Sequence, residues 1–205
     1  MAGHLAKAGH EVAVFNRSPE KVARWVETHG GRAGATAAEA AEGAEMLLLC
    51  VGKDDDVSAV VTQALPALPP HAVIVDHTTT SARLAREMAQ LCAEAGASFV
   101  DAPVSGGQAG AEAGQLTIMC GGDPEAFARA EPVIGAYAKA VKLMGPAGAG
   151  QLTKMVNQIC IAGLVQGLAE GVHFAKRAGL DPADVLAAIS KGAAQSWQMD
   201  NRWPT

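Results

Sequence analysis

Lys154, Asn157 and Gln158 stand at i, i+3 and i+4, so they share one face of any helix that carries them. A lysine stripped of part of its hydration holds its proton less tightly and can exchange it with an alcohol or carbonyl oxygen. An asparagine amide beside it can orient the same oxygen by hydrogen bonding. A lone helical lysine is ordinarily a solvated surface residue, so position decides between the two readings. Lys154 follows closely on Gly145-Pro146-Ala147-Gly148-Ala149-Gly150, a junction where the character of the chain changes, and ligand pockets tend to form at such seams.

Three further stretches carry possible chemistry. The segment Asp101 to Gly110 follows an apolar run and contains Ser105, Gly106 and Gly107. Backbone N–H groups exposed in such a turn can hold a carboxylate together with the serine hydroxyl, or the turn can be structural. Asp76-His77-Thr78-Thr79-Thr80 leaves the C-terminal end of another apolar run, the edge where open α/β sheets bind ligands. His77 by itself reads as a loop histidine rather than a base. Asn16-Arg17-Ser18 ends the run Glu11 to Phe15. Where a dinucleotide ribose is read, an acidic residue suits a free 2′-hydroxyl and an arginine a 2′-phosphate. Arg17 with Ser18 therefore favours NADP(H) over NAD(H); the other reading is a solvated loop with a Ser-Pro helix start.

The elements that must position these residues follow from pattern. Strand-like runs recur at Glu11 to Phe15, Glu45 to Val51, Ala72 to Asp76, Ser98 to Asp101, Leu116 to Cys120 and Val141 to Met144, with helical segments between them. Such alternation predicts a largely parallel, doubly wound α/β sheet covered by helices. Thr36 to Glu39 is a capping box, Ser81 is an N-cap, and Pro19 and Pro124 suit first helical turns. Beyond the junction, apolar residues from Leu152 to Val172 repeat at helical spacing, and a further helix starts at Asp181-Pro182. Gly163, Gly167 and Gly171 within that run each cost about 1 kcal/mol relative to alanine, which implies the close approach of another backbone.

The opening lacks something. Met1 to Ala8 has helical composition, Gly9-His10 is a stop, and the run to Phe15 follows. This is the second half of a β-α-β unit, with no first strand and no G-x-G-x-x-G turn before it. Composition sets the remaining bounds. The 205 residues are 49% hydrophobic with a net charge of −5 and no basic block, which indicates neither nucleic acid nor an anionic membrane surface as partner. Cys50, Cys92, Cys120 and Cys160 are widely spaced in apolar runs, so they read as buried free thiols of a reducing compartment, with no metal site. The uninterrupted apolar runs are shorter than a membrane span and no signal peptide opens the chain. A soluble cytoplasmic protein is the expectation.

Taken together, MAGHLAKAGHEVAVFNRS, DHTTTSA, FVDAPVSGGQAGAEAGQLTIMCGG and GAGQLTKMVNQ resemble the β-hydroxyacid dehydrogenase family of the 6-phosphogluconate dehydrogenase superfamily. The resemblance implies an NAD(P)-dependent oxidoreductase that moves a hydride between the cofactor and a small β-hydroxyacid or its semialdehyde, as 3-hydroxyisobutyrate dehydrogenase does. It implies Lys154 as the acid/base, Asn157 as a substrate contact, Ser105, Gly106 and Gly107 as the carboxylate site, and Thr79 on the nicotinamide side. Val51 and Gly52 would border the cofactor, although family members often have Leu-Pro there, with Asn16, Arg17 and Ser18 at its ribose. The implied fold is a Rossmann-type domain over residues 1–146, lacking its first strand and glycine loop, then the start of an all-helical domain over 147–205. In the family that helical domain continues further, supplies another cofactor-contacting lysine, and takes part in the contacts of a homo-oligomer, dimer or tetramer. A chain so shortened at both ends would be inactive by itself. The alternatives are an imine reductase on the same scaffold, which Lys154 argues against, or a non-catalytic binding or oligomerisation module with a damaged cofactor site.

Overall fold

Strand β4 (Val73–Asp76) is apolar on both faces, and the reason lies in its neighbours. Val73 and Val75 pack with Ala126, Ala130 and Ile134 of helix α7 (Pro124–Ile134). Ile74, one residue out of phase, packs with Val57 and Val61 of α4 (Asp54–Ala64) and with Leu84 and Met88 of α5 (Ala82–Glu94). Successive side chains point to opposite faces, and both faces are covered, as a parallel sheet requires. In this computed structural model residues 1–203 are described; Pro204 and Thr205, at the end of the expected helical domain, lie outside them.

The chain separates into two units, Met1–Lys154 and the residues from Met155 onward. In the first unit, α1 (Ala2–Lys7) leads to β1 (Ala13–Val14), α2 (Pro19–His29), β2 (Arg32–Ala33), α3 (Ala37–Ala41) and β3 (Met46–Leu49). After α4, β4 and α5 come β5 (Ser98–Asp101), β6 (Val104–Ser105), α6 (Gly107–Ala113), β7 (Leu116–Gly121), α7 and β8 (Ala138–Gly145). Strands β3, β4 and β5 run parallel in that order; β7 is antiparallel to β5 and β6 and parallel to β8. The expected helix starts are in place: the Ser81 hydroxyl accepts from the Leu84 amide and the Thr36 hydroxyl from that of Glu39, while Pro19 and Pro124 open α2 and α7.

β1 and β2 form a separate parallel pair, and among the described residues no strand joins β1 to β3. A cavity of about 1780 Å³ opens there, with Val12 to Phe15 on one wall and Met46 to Leu49 on the other. The sheet is thus interrupted between β1 and β3.

Several expectations need correction. Cys92 and Cys120 are buried free thiols, but Cys50 lies just past the end of β3 and Cys160 on an outward face of helix α8 (Ala149–Arg177), and both are exposed. The turn read around Gly106 is a strand followed by a short helix, because a left-handed Gly106 lets α6 begin at once. In the second unit, nothing lies within 4 Å of where a side chain would begin at Gly163, Gly167 or Gly171. In place of a closely packed backbone there is a groove of about 350 Å³, bordered by these glycines and by Val185, Ile189, Met199 and Trp203. The groove forms as α9 (Pro182–Ile189) and α10 (Trp197–Arg202) line α8 with side chains. By length and mean hydropathy of 1.2, α8 could also cross a membrane; Gln158, Gln166 and Glu170 interrupt its apolar face.

His77 lies in the loop just after β4, as expected, but not in water. It is buried, its Nδ1–H donates to the Ala102 carbonyl at 2.7 Å, and its Nε2 accepts from the Tyr137 hydroxyl at 2.7 Å. A carbonyl can only accept, so the tautomer is fixed. Burial lowers the His77 pKa to about 4 and raises that of neighbouring Asp76, 1% exposed, to about 7. The two act on stability with opposite sign. His77 costs stability as pH falls from its unfolded 6.5 towards 4, because the unfolded chain then binds the extra proton. Asp76 costs stability as pH rises from its unfolded 3.8 through 7, because the folded chain then binds it. Asp76→Asn removes the second slope while keeping an acceptor for the Thr78 amide. Its urea midpoint should climb more steeply between about pH 4 and 6.5 than that of the wild type; parallel curves would contradict this pairing.

Candidate active site

The C-terminal ends of β4 and β5 are bound to the first turn of α8 by two polar side chains. Asp101, the last residue of β5, is fully buried, and its Oδ1 accepts from the Gly148 amide at 2.7 Å and its Oδ2 from the Gln151 amide at 2.8 Å. The side chain of Gln151 then clamps the loop after β4: its Oε1 accepts from the Thr80 amide at 3.0 Å and its Nε2 donates to the Thr78 carbonyl at 2.7 Å. The glycines of the junction make this approach possible. A side chain at Gly150 would collide with the Met119 carbonyl oxygen, and one at Gly148, whose φ is +90°, would stand 3.0 Å from the Ala82 carbonyl.

This clamp fixes two of the expected site residues. Thr79 is exposed at the tip of a loop whose flanking residues are both held by Gln151. Lys154 lies one helical turn beyond Gln151, 9% exposed, and finds no hydrogen-bond or ion-pair partner among the described residues. Burial lowers its pKa, so it gives up its proton more readily than a surface lysine. Close by, the Thr80 hydroxyl is buried and has no partner among the described residues, an atom that invites a ligand or water.

The loop also reaches the exit of β3, since the Val51 amide donates to the Thr78 hydroxyl at 3.0 Å. Val51, Gly52, Asn16, Arg17 and Ser18 line one cavity. Asn16 shapes its turn, its Oδ1 accepting from the Ser18 amide at 2.9 Å, which leaves Arg17 extended outward with its side chain 81% exposed and 3.6 Å from Asp56. The cavity lining combines the apolar residues of β1 and β3 with polar ones, Asn16, Arg17, Ser18 and Asp56 among them. These polar residues suit the polar ribose end of a dinucleotide, and Gly52 leaves the backbone open to close approach.

The remaining expected residues stand apart from this cavity lining. Ser105 is the last residue of β6, paired with Thr117, and Gly106 and Gly107 carry φ values of 134° and 62° where α6 begins. Asn157, in the second unit, donates from Nδ2 to Gln158 Oε1 at 2.9 Å. Reasoning from sequence missed Asp101, Gln151 and Asp56. Gln151 had a signal, since it precedes Lys154 by three residues on the same helical face; the acceptor role of Asp101 is visible only once the helix N-terminus is placed against it.

Comparison with known proteins places these features in one lineage. Residues 1–145 match the NAD binding domain of 6-phosphogluconate dehydrogenase, and residues 148–205 match the NAD-binding domain of NADP-dependent 3-hydroxyisobutyrate dehydrogenase. An uncharacterized oxidoreductase of Shewanella frigidimarina is 56% identical over all of this chain and 72% of its own length. The 3-hydroxyisobutyrate dehydrogenase of Pseudomonas aeruginosa is 34% identical over 100% of this chain and 70% of its own. The solved 3-hydroxyisobutyrate dehydrogenase of Mycobacterium tuberculosis with L-serine superposes with a TM-score of 0.92 at 31% identity, covering 100% of this chain and 70% of that one.

If the Asp101 clamp sets the start of α8, Asp101→Asn, which offers one acceptor where two amides converge, should speed hydrogen exchange at residues 148–154. It should also lower stability by about 1–3 kcal/mol. Unchanged exchange in that turn would remove the clamp from the account. By sequence and by fold, this chain belongs to the β-hydroxyacid dehydrogenase family of NAD(P)-dependent oxidoreductases.

Proposed function

We propose that the protein interconverts a small β-hydroxyacid and its semialdehyde, with Lys154 as the acid/base. The observation that carries this reading is a partly buried lysine with a lowered pKa and no counter-charge among the described residues, set one turn after a clamped helix start. The nicotinamide cofactor, when bound, supplies or accepts the hydride. Lys154 protonates the carbonyl oxygen in reduction and takes the alcohol proton in oxidation, and its lowered pKa eases the release of the proton.

Asn157, three residues on along α8, orients the same oxygen by its amide. Ser105 and the Gly106 and Gly107 amides hold the substrate carboxylate; the first amides of a helix have no carbonyl partner within it and are free to donate. Thr79 borders the nicotinamide, Val51 and Gly52 border the cofactor, and Asn16, Arg17 and Ser18 meet the ribose. Arg17, exposed and able to turn, supports a preference for NADP(H) over NAD(H). We read the enzyme as cytoplasmic and as a homo-oligomer. Val156, Ile159 and Phe174 on α8 are 61%, 72% and 71% exposed, an apolar face that a second copy would cover. Light scattering should return a mass of at least twice the protomer's, and a monomer at micromolar concentration would refute that assembly.

Lys154→Ala should lower kcat by at least about 10²-fold while the dissociation constant for NADPH, measured by titration, stays within about threefold of wild type. Equal, measurable turnover in the two proteins, assayed in a chain extended at both ends, would exclude Lys154 as the acid/base.

A further inference from the structure

Asp54, Asp55 and Asp56 open α4 side by side, yet each carboxylate is used differently. Asp54 accepts from the Ser81 amide at 3.2 Å and the Ser81 hydroxyl at 2.5 Å, tying α4 to the start of α5. Asp55 is exposed and pairs with Lys53 at 2.7 Å. Asp56 is the more enclosed partner of its pair, its side chain 24% exposed, and it faces Arg17 from across the mouth of the cavity at 3.6 Å. A side chain at Gly52 would begin 2.7 Å from Asp56 Oδ2, so glycine there is what allows the carboxylate to sit where it does.

We propose that Asp56 sets the cofactor preference of this site, holding the Arg17 guanidinium in an ion pair that a 2′-phosphate must displace. The inference rests on the reading in which Arg17 meets that phosphate. At 3.6 Å the pair is Coulombic rather than a short hydrogen bond, and with Arg17 largely in water it is weak. Such a pair is poised rather than locked. An incoming 2′-phosphate competes for the guanidinium and brings its own charge up to a carboxylate, which opposes it. A free 2′-hydroxyl carries no charge, and a carboxylate can accept its proton in a hydrogen bond. Asp56 therefore supplies from α4 the acidic group that the residues after β1 lack, and it moderates the preference Arg17 creates.

The test is calorimetric titration of NADPH, NADH and adenosine 2′,5′-bisphosphate into wild type, Asp56→Asn, Asp56→Glu and Arg17→Ala, and into the double variant Asp56→Asn with Arg17→Ala. Asp56→Asn should tighten NADPH and the bisphosphate by about 2- to 5-fold, leave NADH unchanged or slightly weaker, and lose its gain when Arg17 is absent. Asp56→Glu should stay near wild type. A merely structural role at the α4 N-terminus would move all three ligands together, and that outcome, or a weaker NADPH complex in Asp56→Asn, overturns the proposal. If Arg17→Ala leaves NADPH binding unchanged in a wild-type background that binds it, the assignment of Arg17 fails and this inference with it. If the wild type binds neither nicotinamide cofactor, the cofactor-site reading itself falls first.

Discussion

The fully buried carboxylate of Asp101 has no cation beside it among the described residues, and the site is built on how that charge is satisfied. Burying an ionised carboxyl is costly unless hydrogen bonds replace its water. Here the replacement is the first turn of α8, whose amides have no partners of their own and whose dipole places partial positive charge at that end. Burial raises the Asp101 pKa and the donated amides of Gly148 and Gln151 lower it, so the helix turn works against the penalty of its position. Had a lysine neutralised Asp101, that lysine would be held as a charged structural group. Because backbone amides do the work, Lys154 one turn later is left without a counter-ion, and desolvation alone acts on its pKa.

The same edge of the sheet gathers Asp76 and His77, and the order of the sequence explains the cluster. In a parallel arrangement the strand ends β3, β4 and β5 all face one way, so the residues that follow them meet there. Asp76 receives the Thr78 amide at 2.9 Å, Thr78 receives the Val51 amide, and Gln151 closes the set from α8. A substitution at any of these positions is transmitted to Thr79 and Lys154 through hydrogen bonds of fixed partners rather than through soft apolar contact. His77 stands behind this row. Its bonds to Ala102 and Tyr137 keep it neutral and make it part of the floor.

How much of this was legible beforehand depended on the range of the signal. Strands with continuous apolar runs, such as Met46–Leu49, and helices with a capping serine or a first-turn proline are readable, because period and cap are local. The face shared by Lys154 and Asn157 was readable for the same reason. Gly106-Gly107 reads as a turn in sequence because glycine signals a turn far more often than a helix start, and only the pairing of Ser105 with Thr117 shows β6 ending there. Cys50 was misplaced because a strand end reads like a strand interior in sequence. Asp56 and Arg17 are far apart along the chain, and neither carries any mark of the other.

The interruption between β1 and β3 bears on how the cavity should be understood. β1 and β2 are two residues each, and an isolated two-stranded pair has little stability of its own. Its place beside β3 therefore depends on side chains. Phe15 packs with the alanines of α3, Val12 with the larger core, and Arg17 reaches Asp56 on α4. The cavity of about 1780 Å³ exceeds the roughly 300–1,000 Å³ of ordinary ligand pockets, and polar residues share its lining with the flanks of the strands. The Arg17–Asp56 pair thus ties the residues after β1 to α4 across the interrupted sheet.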